Sequence, residues 1–332
     1  MIRLHLSAAD ARRIRFASSP LWEAVTSLRT LTDTSRRWHL HQPWRDQVRS
    51  RLDRVDLSVL TAVVRPAGYL PDFLVPSPAR RHVAFHTALT ELAAADPAQA
   101  AGELIHLAGH PVAQRGPGRA ERIALLHELA ADPTAALARI AQALDEYWQA
   151  AVAPFWLRLH ALLQDDIAHR LDQLADGGVD ALLRGLHPSV RFDGTTLHIE
   201  KYYDGDASAD GRGVLLVPCA FAWPDVMVRT AQPLPVTISY SPRGVGRLWE
   251  QHPSSHHTAL AEVIGRTRAD LLRLLDLPMA TSQLATQLAL SAPTLNAHLK
   301  ALHAAGIVAA RRDGRFVLYS RTPVGDLLLA EQ

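Results

Sequence analysis

The 332-residue sequence predicts a mainly α chain: a helical N-terminal domain with a small β-sheet, followed by a C-terminal unit of short helices closed by a hairpin. Three observations predict it. The length exceeds the roughly 100 to 200 residues of an ordinary domain, so two domains are expected. Apolar residues recur three and four apart from about Pro20 to Leu186, then two apart between Val190 and Tyr240. Charge is uneven: the first 257 residues hold 27 basic and 27 acidic side chains, and the remainder carries the whole net +2.

Hydrophobic residues make up 48% and charged residues 20%, a balance that excludes wholesale disorder and fibrous repeats. Cys219 is the only cysteine, which excludes an internal disulfide and a dithiol metal site. The apolar run Gly213 to Pro224 is shorter than the roughly 20 residues that cross a bilayer. Residues 1–6 alternate and lead to Asp10, Arg12 and Arg13, without the apolar block of a secretory signal. A cytoplasmic protein with no membrane partner is expected.

Taken in order, residues 1–6 read as a strand, and Ser7 with Asp10 forms a capping box for a helix through Arg15. Pro20-Leu21-Trp22 and Pro43-Trp44 open further helices, while Asp96-Pro97, Gly116-Pro117-Gly118 and Asp132-Pro133 each stop one helix and start another. Residues 134–174 predict long amphipathic helices broken near Pro154. Strands follow at Val190–Phe192, Thr196–Ile199, Val214–Val217 and Val236–Tyr240. The turn-like segment 252–256 places the domain boundary, giving domains 1–250 and 251–332.

In the second domain, Leu260, Val263, Ile264, Thr267, Leu271, Leu274 and Leu275 line one face of a predicted helix ending before Pro278. Thr281-Ser282 caps a short helix with Leu284, Ala285 and Leu288 inward. Ser291 caps the next, in which Leu295, Leu299 and Leu302 face one way and Thr294, Asn296, Ala297 and Lys300 the other. Ala305-Gly306 closes it. Two strands, Ile307–Arg311 and Phe316–Ser320, are joined through Arg312-Asp313-Gly314-Arg315. Residues 290–321 carry Lys300, Arg311, Arg312, Arg315 and Arg321 against Asp313 alone, the electrostatic footprint of a phosphate-binding surface. This order of elements is a winged helix: its second helix enters a major groove while the basic hairpin grips phosphates beside it.

Residues 282–319 resemble the bacterial ArsR-like family of regulators through Leu284-Ala285, Leu288, Leu290-Ser291, Thr294, His298-Leu299, Leu302, Ala305-Gly306-Ile307-Val308, Arg311-Arg312, Gly314-Arg315 and Leu318-Tyr319. The segments 239–250 and 265–268 are similar to a long actinobacterial branch whose N-terminal domain has no settled function. The resemblance implies a transcriptional repressor that works as a homodimer on a double-stranded DNA operator. Its DNA-binding candidates are Ser282, Gln283, Ser291, Thr294, Asn296, Ala297, His298, Lys300, Arg311, Arg312 and Arg315. Two departures matter. The paired cysteines of metal-sensing members are missing from residues 281–285, which excludes thiolate sensing there. Ala297 can touch a thymine methyl but makes no bidentate base contact, which shifts base reading to Thr294 and Asn296.

No catalytic constellation, metal site or cofactor is predicted. His106 with His110, and His82 with His86, have one-turn spacing but lack a matched carboxylate, so ordinary histidines are expected there and at His252, His256 and His257. Cys219 sits in an apolar run and reads as a buried thiol, and Gly116-Pro117-Gly118 lacks the free N–H groups of a phosphate loop. Trp22, Trp38, Trp44, Trp148 and Trp156 read as core, with a ligand pocket as the alternative for some of them. The charge-balanced N-terminal domain is expected to take a small-molecule or protein effector, with the helix Leu260–Leu275 as transmitter. The alternative is an enzyme or protein-interaction adaptor with an accessory winged helix.

Overall fold

The computed structural model describes residues 1–33, 36–201, 203–230, 232–249, 255–275, 278–288, 290–313 and 316–329, with the backbone alone at 36–38, 255–259, 282, 286–287, 313 and 316. The chain divides into two units, Met1–Trp156 with Asp166–Trp249, and Leu157–Asp165 with Glu250–Gln332.

In the first unit, β1 (Ile2–His5), α1 (Ala8–Ala11), β2 (Ile14–Phe16), α2 (Pro20–Thr32), α3 (Gln42–Leu52), α4 (Ser58–Val63), α5 (Phe85–Ala93), α6 (Pro97–Gly109), α7 (Arg119–Ala131) and α8 (Pro133–Tyr147) precede the long α9 (Trp156–Arg184), of which Leu157–Asp165 is grouped with the second unit. Ser19, Asp96 and Asp132 cap α2, α6 and α8 through their side chains, each with proline in the first turn. Between α8 and α9 a π-helical turn at Trp148–Val152 and a 3-10 turn at Ala153–Phe155 break the helix around Pro154. Six strands follow: β3 (Val190–Phe192), β4 (Thr196–Ile199), β5 (Gly205–Ser208), β6 (Val214–Pro218), β7 (Met227–Arg229) and β8 (Val236–Tyr240).

These strands build two four-stranded sheets rather than one small sheet. One has the order β3-β4-β1-β5, so the first strand of the chain lies inside it, antiparallel to β4 with Leu4 opposite Leu197 and parallel to β5. The other has the order β2-β6-β8-β7. Both sheets share one apolar core in which Leu4, Phe192, Leu197, Leu216, Ile238 and Tyr240 meet Leu182 and Leu183 at the end of α9.

The helix expected through Arg15 stops at Ala11, because Ile14–Phe16 instead pairs in parallel with Val214–Leu216. The Ser7 and Asp10 capping box is present. What ends the helix is tertiary. Asp10 Oδ1 accepts the Gly213 N–H at 2.9 Å. A Cβ at Gly213, where φ is +83°, would stand 2.5 Å from the Arg13 carbonyl oxygen, so this approach requires glycine.

The second unit contains α10 (Ser255–Ile264), α11 (Arg266–Leu274), β9 (Met279–Ala280), α12 (Thr281–Leu288), α13 (Ala292–Ala304), β10 (Val308–Asp313), β11 (Phe316–Arg321) and α14 (Pro323–Leu327). The three strands pair in the order β10-β11-β9. The continuous helix expected over Leu260–Leu275 is two helices, separated at Gly265, whose φ of +88° no helix interior accommodates. Val263 leaves the expected apolar stripe and is 82% exposed. The strand β9 and the helix α14, capped by Thr322, were not legible as elements. Among the described residues no helix is long and apolar enough to cross a membrane.

Candidate nucleic-acid interface

The interface begins with the packing of α13. Leu295, Leu299 and Leu302 are buried and join Leu271, Leu272, Leu284 and Val308 in the core of the second unit. Their 3.6-residue period leaves Thr294, Asn296, Ala297 and Lys300 on the exposed face, with His298 half-buried at its edge. Among the described residues, Asn296 and Lys300 spend no side-chain hydrogen bond on protein.

At the start of α13 the Ser291 Oγ accepts the Thr294 N–H at 3.3 Å and lies 2.8 Å from Thr294 Oγ1. This cap satisfies one of the free N–H groups of the first turn and ties Thr294 to its neighbour. The preceding helix starts differently from the expected Thr281-Ser282 cap. Gln283 Oε1 accepts the Ala280 N–H at 2.6 Å, which is the return half of a capping box. Gln283 therefore spends its side-chain oxygen on the fold. The Ser282 side chain lies outside the described residues.

In the hairpin, Arg311 sits opposite Leu318 and Arg312 opposite Val317, and both arginines are exposed. Asp313 pairs with Phe316, leaving positions 314 and 315 as the connection. Gly314 and Arg315 lie outside the described residues. Arg321, counted with the basic patch in the sequence, is committed elsewhere: its Nε is 2.7 Å from Asp326 Oδ1 and its Nη1 donates to the Leu272 carbonyl at 3.0 Å. Among the described residues of the segment 290–321, the exposed positive charge is therefore that of Lys300 and of Arg311 and Arg312 on β10.

Residues 266–311 match a helix-turn-helix domain. The match spans α11, α12, α13 and β10 up to Arg311, the same residues that build the exposed face just described. It supports a DNA-binding transcription regulator. Residues 83–244 match a family of unknown function, DUF5937, covering α5 through β8. No curated protein and no solved structure matches the chain.

The other sequence features resolve into structure. Cys219 is buried with its Sγ 3.2 Å from Thr26 Oγ1, and burial, then the nearby Glu23, pushes its thiol pKa up, away from the reactive thiolate. In the segment 113–117, Arg122 gathers the carbonyls of Ala113, Arg115 and Pro117, so this loop presents acceptors to a cation rather than N–H donors to a phosphate. His106 and His110 lie with ring centroids 5.9 Å apart beside Tyr69. His86 Nδ1 is 3.6 Å from Asp145, and His82 Nδ1 is 3.4 Å from Ser18 Oγ. The described residues contain no group of three or more metal-ligating side chains. His252, and the side chains of His256, His257 and Trp38, lie outside the described residues.

Proposed function

We propose that the protein is an ArsR-like winged-helix repressor, a cytoplasmic homodimer that binds a double-stranded DNA operator through residues 251–332 and is modulated through residues 1–250. In this reading α13 enters the major groove, where Thr294 and Asn296 read base edges, Ala297 lies against a thymine methyl, and His298 and Lys300 flank them. Ser291 meets the backbone at the helix start, with Ser282 and Gln283 behind it. Arg311, Arg312 and Arg315 hold phosphates. Half-sites lie about one DNA turn apart, roughly 34 Å. An effector held by the N-terminal unit biases the dimer between DNA-competent and DNA-incompetent states by about 1 to 3 kcal/mol.

What carries the reading is one coincidence: the helix-turn-helix match ends at Arg311, on a hairpin whose exposed arginines follow a helix whose exposed Asn296 and Lys300 make no side-chain hydrogen bond to the described residues. The test is a gel shift of the full chain on DNA upstream of its own gene, repeated across salt concentrations. Wild type is expected to prefer that fragment over random DNA. Arg311→Ala with Arg315→Ala is expected to weaken both complexes alike and lower the salt slope by about 2, since each phosphate contact contributes about 0.9. An unchanged slope would sink the wing assignment.

A further inference from the structure

The first unit holds a cavity of about 700 Å³, inside the span of about 300 to 1,000 Å³ typical of small-molecule sites. Its walls come from α2, the loop before and around Leu70, the end of α6 and the edge strand β7. Trp22 donates its Nε1–H to the Pro76 carbonyl at 2.9 Å, which leaves only ring surface for a ligand. Leu70, Val75 and Met227 extend that apolar wall. Arg29 fixes the loop by donating from Nε and Nη2 to the Pro66 and Gly68 carbonyls, both at 3.3 Å.

Two donors that line the cavity, the Tyr69 hydroxyl and His110 Nε2, have no hydrogen-bond acceptor among the described residues. The Tyr69 hydroxyl makes no hydrogen bond, and burial followed by the charges of Glu103 and Asp72 keeps it protonated and therefore able to donate. His110 accepts the Val112 N–H on Nδ1 at 3.2 Å, which in the neutral ring places the proton on Nε2, and burial with neighbouring His106 shifts the ring's pKa down, toward that neutral form. Arg229 is committed to the wall: its Nε lies 3.3 Å from Asp72 Oδ2 and its Nη1 donates to Ser77 Oγ at 3.0 Å. The lining carboxylates are otherwise placed: Asp72 faces Arg229, Asp225 acts on His187, and Glu200 is exposed. Arg29 and Lys201 add positive charge to the lining.

We propose that this cavity is the effector site and that it takes a planar aromatic compound carrying a carboxylate or similar anionic oxygen acceptor. The inference rests on the regulator reading for the word effector. The apolar wall receives the ring, and the Tyr69 and His110 donors receive the oxygen atoms, whose burial without donors would be unfavourable. A cationic aromatic ligand would meet unmatched N–H and O–H donors instead.

Isothermal titration calorimetry of the full chain with 2-naphthoate and with 2-naphthylmethylammonium tests this, because the two probes share a ring body and differ in charge. The expected result is one naphthoate per chain, with the ammonium at least about tenfold weaker and Tyr69→Phe weakening naphthoate by about tenfold, the loss of one charge-assisted hydrogen bond. Met227→Trp, which fills the cavity from its strand edge, is expected to abolish binding. Because Tyr69→Phe leaves the ring beside His106 in place, it tests the site even where the tryptophan variant fails to fold. Equal or tighter binding of the ammonium would overturn the ligand class. Absence of binding by both probes, or naphthoate affinity unchanged by Tyr69→Phe, would overturn the site. No DNA enters these titrations, so a failed gel shift overturns the regulator reading alone, and failed calorimetry the cavity alone.

Discussion

The two units place their polar chemistry on opposite sides of their surfaces. Among the described residues from 260 onward, every buried side chain is apolar: the leucines of α11, α12 and α13, with Ala269, Met279, Ala280 and Val308. The first unit buries Asp10, Glu23, His41, Arg122, Asp166 and Arg170. A buried polar or ionisable group costs free energy unless partners satisfy it, and several of these have such partners. Glu23 accepts the Ala220 and Phe221 N–H groups at 2.7 and 3.1 Å, and Asp166 takes the Tyr240 hydroxyl at 2.7 Å and the Arg243 N–H at 2.8 Å. The difference separates a unit with an apolar interior from one that buries ionisable groups.

The largest effect that tests this contrast is Asp166→Ala. It strands Arg170, whose side chain is 4% exposed and otherwise holds the Gly185 and Leu186 carbonyls, beside a buried Tyr240 hydroxyl. Removing one partner of such a buried pair is expected to destabilise the first unit by about 3 to 5 kcal/mol. Denaturant unfolding followed by tryptophan emission reads this unit alone, because all seven tryptophans lie within it. A loss below about 1 kcal/mol would break the comparison, since the interior charge would then carry little of the stability.

Asn296→Ala tests the other side and is expected to have a smaller effect. The side chain is exposed on α13, so stability should not change, while discrimination between the preferred fragment and random DNA should fall by about 1 to 3 kcal/mol if Asn296 makes a bidentate contact to adenine. Equal loss on both DNAs, measured by competition gel shift, would remove Asn296 from base reading.

The same contrast explains what was legible. The apolar core of the second unit is local: Leu295, Leu299 and Leu302 repeat at helical spacing, and Ser291 and Gly306 mark the ends of their helix. Proline after Ser19, Asp96 and Asp132 likewise announced α2, α6 and α8. In the first unit the deciding contacts span the chain. Asp10 meets Gly213, Glu23 meets Ala220 and Asp166 meets Tyr240, pairs that no periodicity links. For that reason β2 read as helix, and Tyr69, His110 and Arg229 were not recognisable as one cavity wall. Gly265 carried a local signal for a helix break, but the apolar stripe on both sides of it concealed the interruption. The contact of Gln283 Oε1 with the Ala280 N–H, three residues back, was not legible in the sequence, because Ala280 carries no side-chain cap to signal the start of α12.

The smallest expected effect is a slope rather than a loss, and it sharpens the account of the first unit's interior. Burial raises the Glu23 pKa from 4.5 to about 7, against the opposing hydrogen bonds from Ala220 and Phe221. Its folded pKa is raised, so its contribution to stability is complete below pH 4.5 and is lost as pH rises toward 7. Burial, with neighbouring His39, lowers the His41 pKa from 6.5 to about 3, and His41 Nδ1 accepts the Trp249 indole N–H at 2.9 Å. Its folded pKa is depressed, so its contribution is complete above pH 6.5 and is lost as pH falls toward 3. Between pH 4.5 and 6.5 the folded state holds one more proton on Glu23 and one fewer on His41 than the unfolded chain, and the two slopes cancel. Glu23→Gln removes the first. Its amide also mismatches one of the two backbone donors, a penalty that does not vary with pH and leaves the slope clean. The variant is therefore expected to gain stability with rising pH across this window at about 1.4 kcal/mol per pH unit relative to wild type. Tryptophan-monitored unfolding at pH 4.5, 5.5 and 6.5 measures it, and parallel curves for variant and wild type would show that Glu23 is not protonated in the folded first unit.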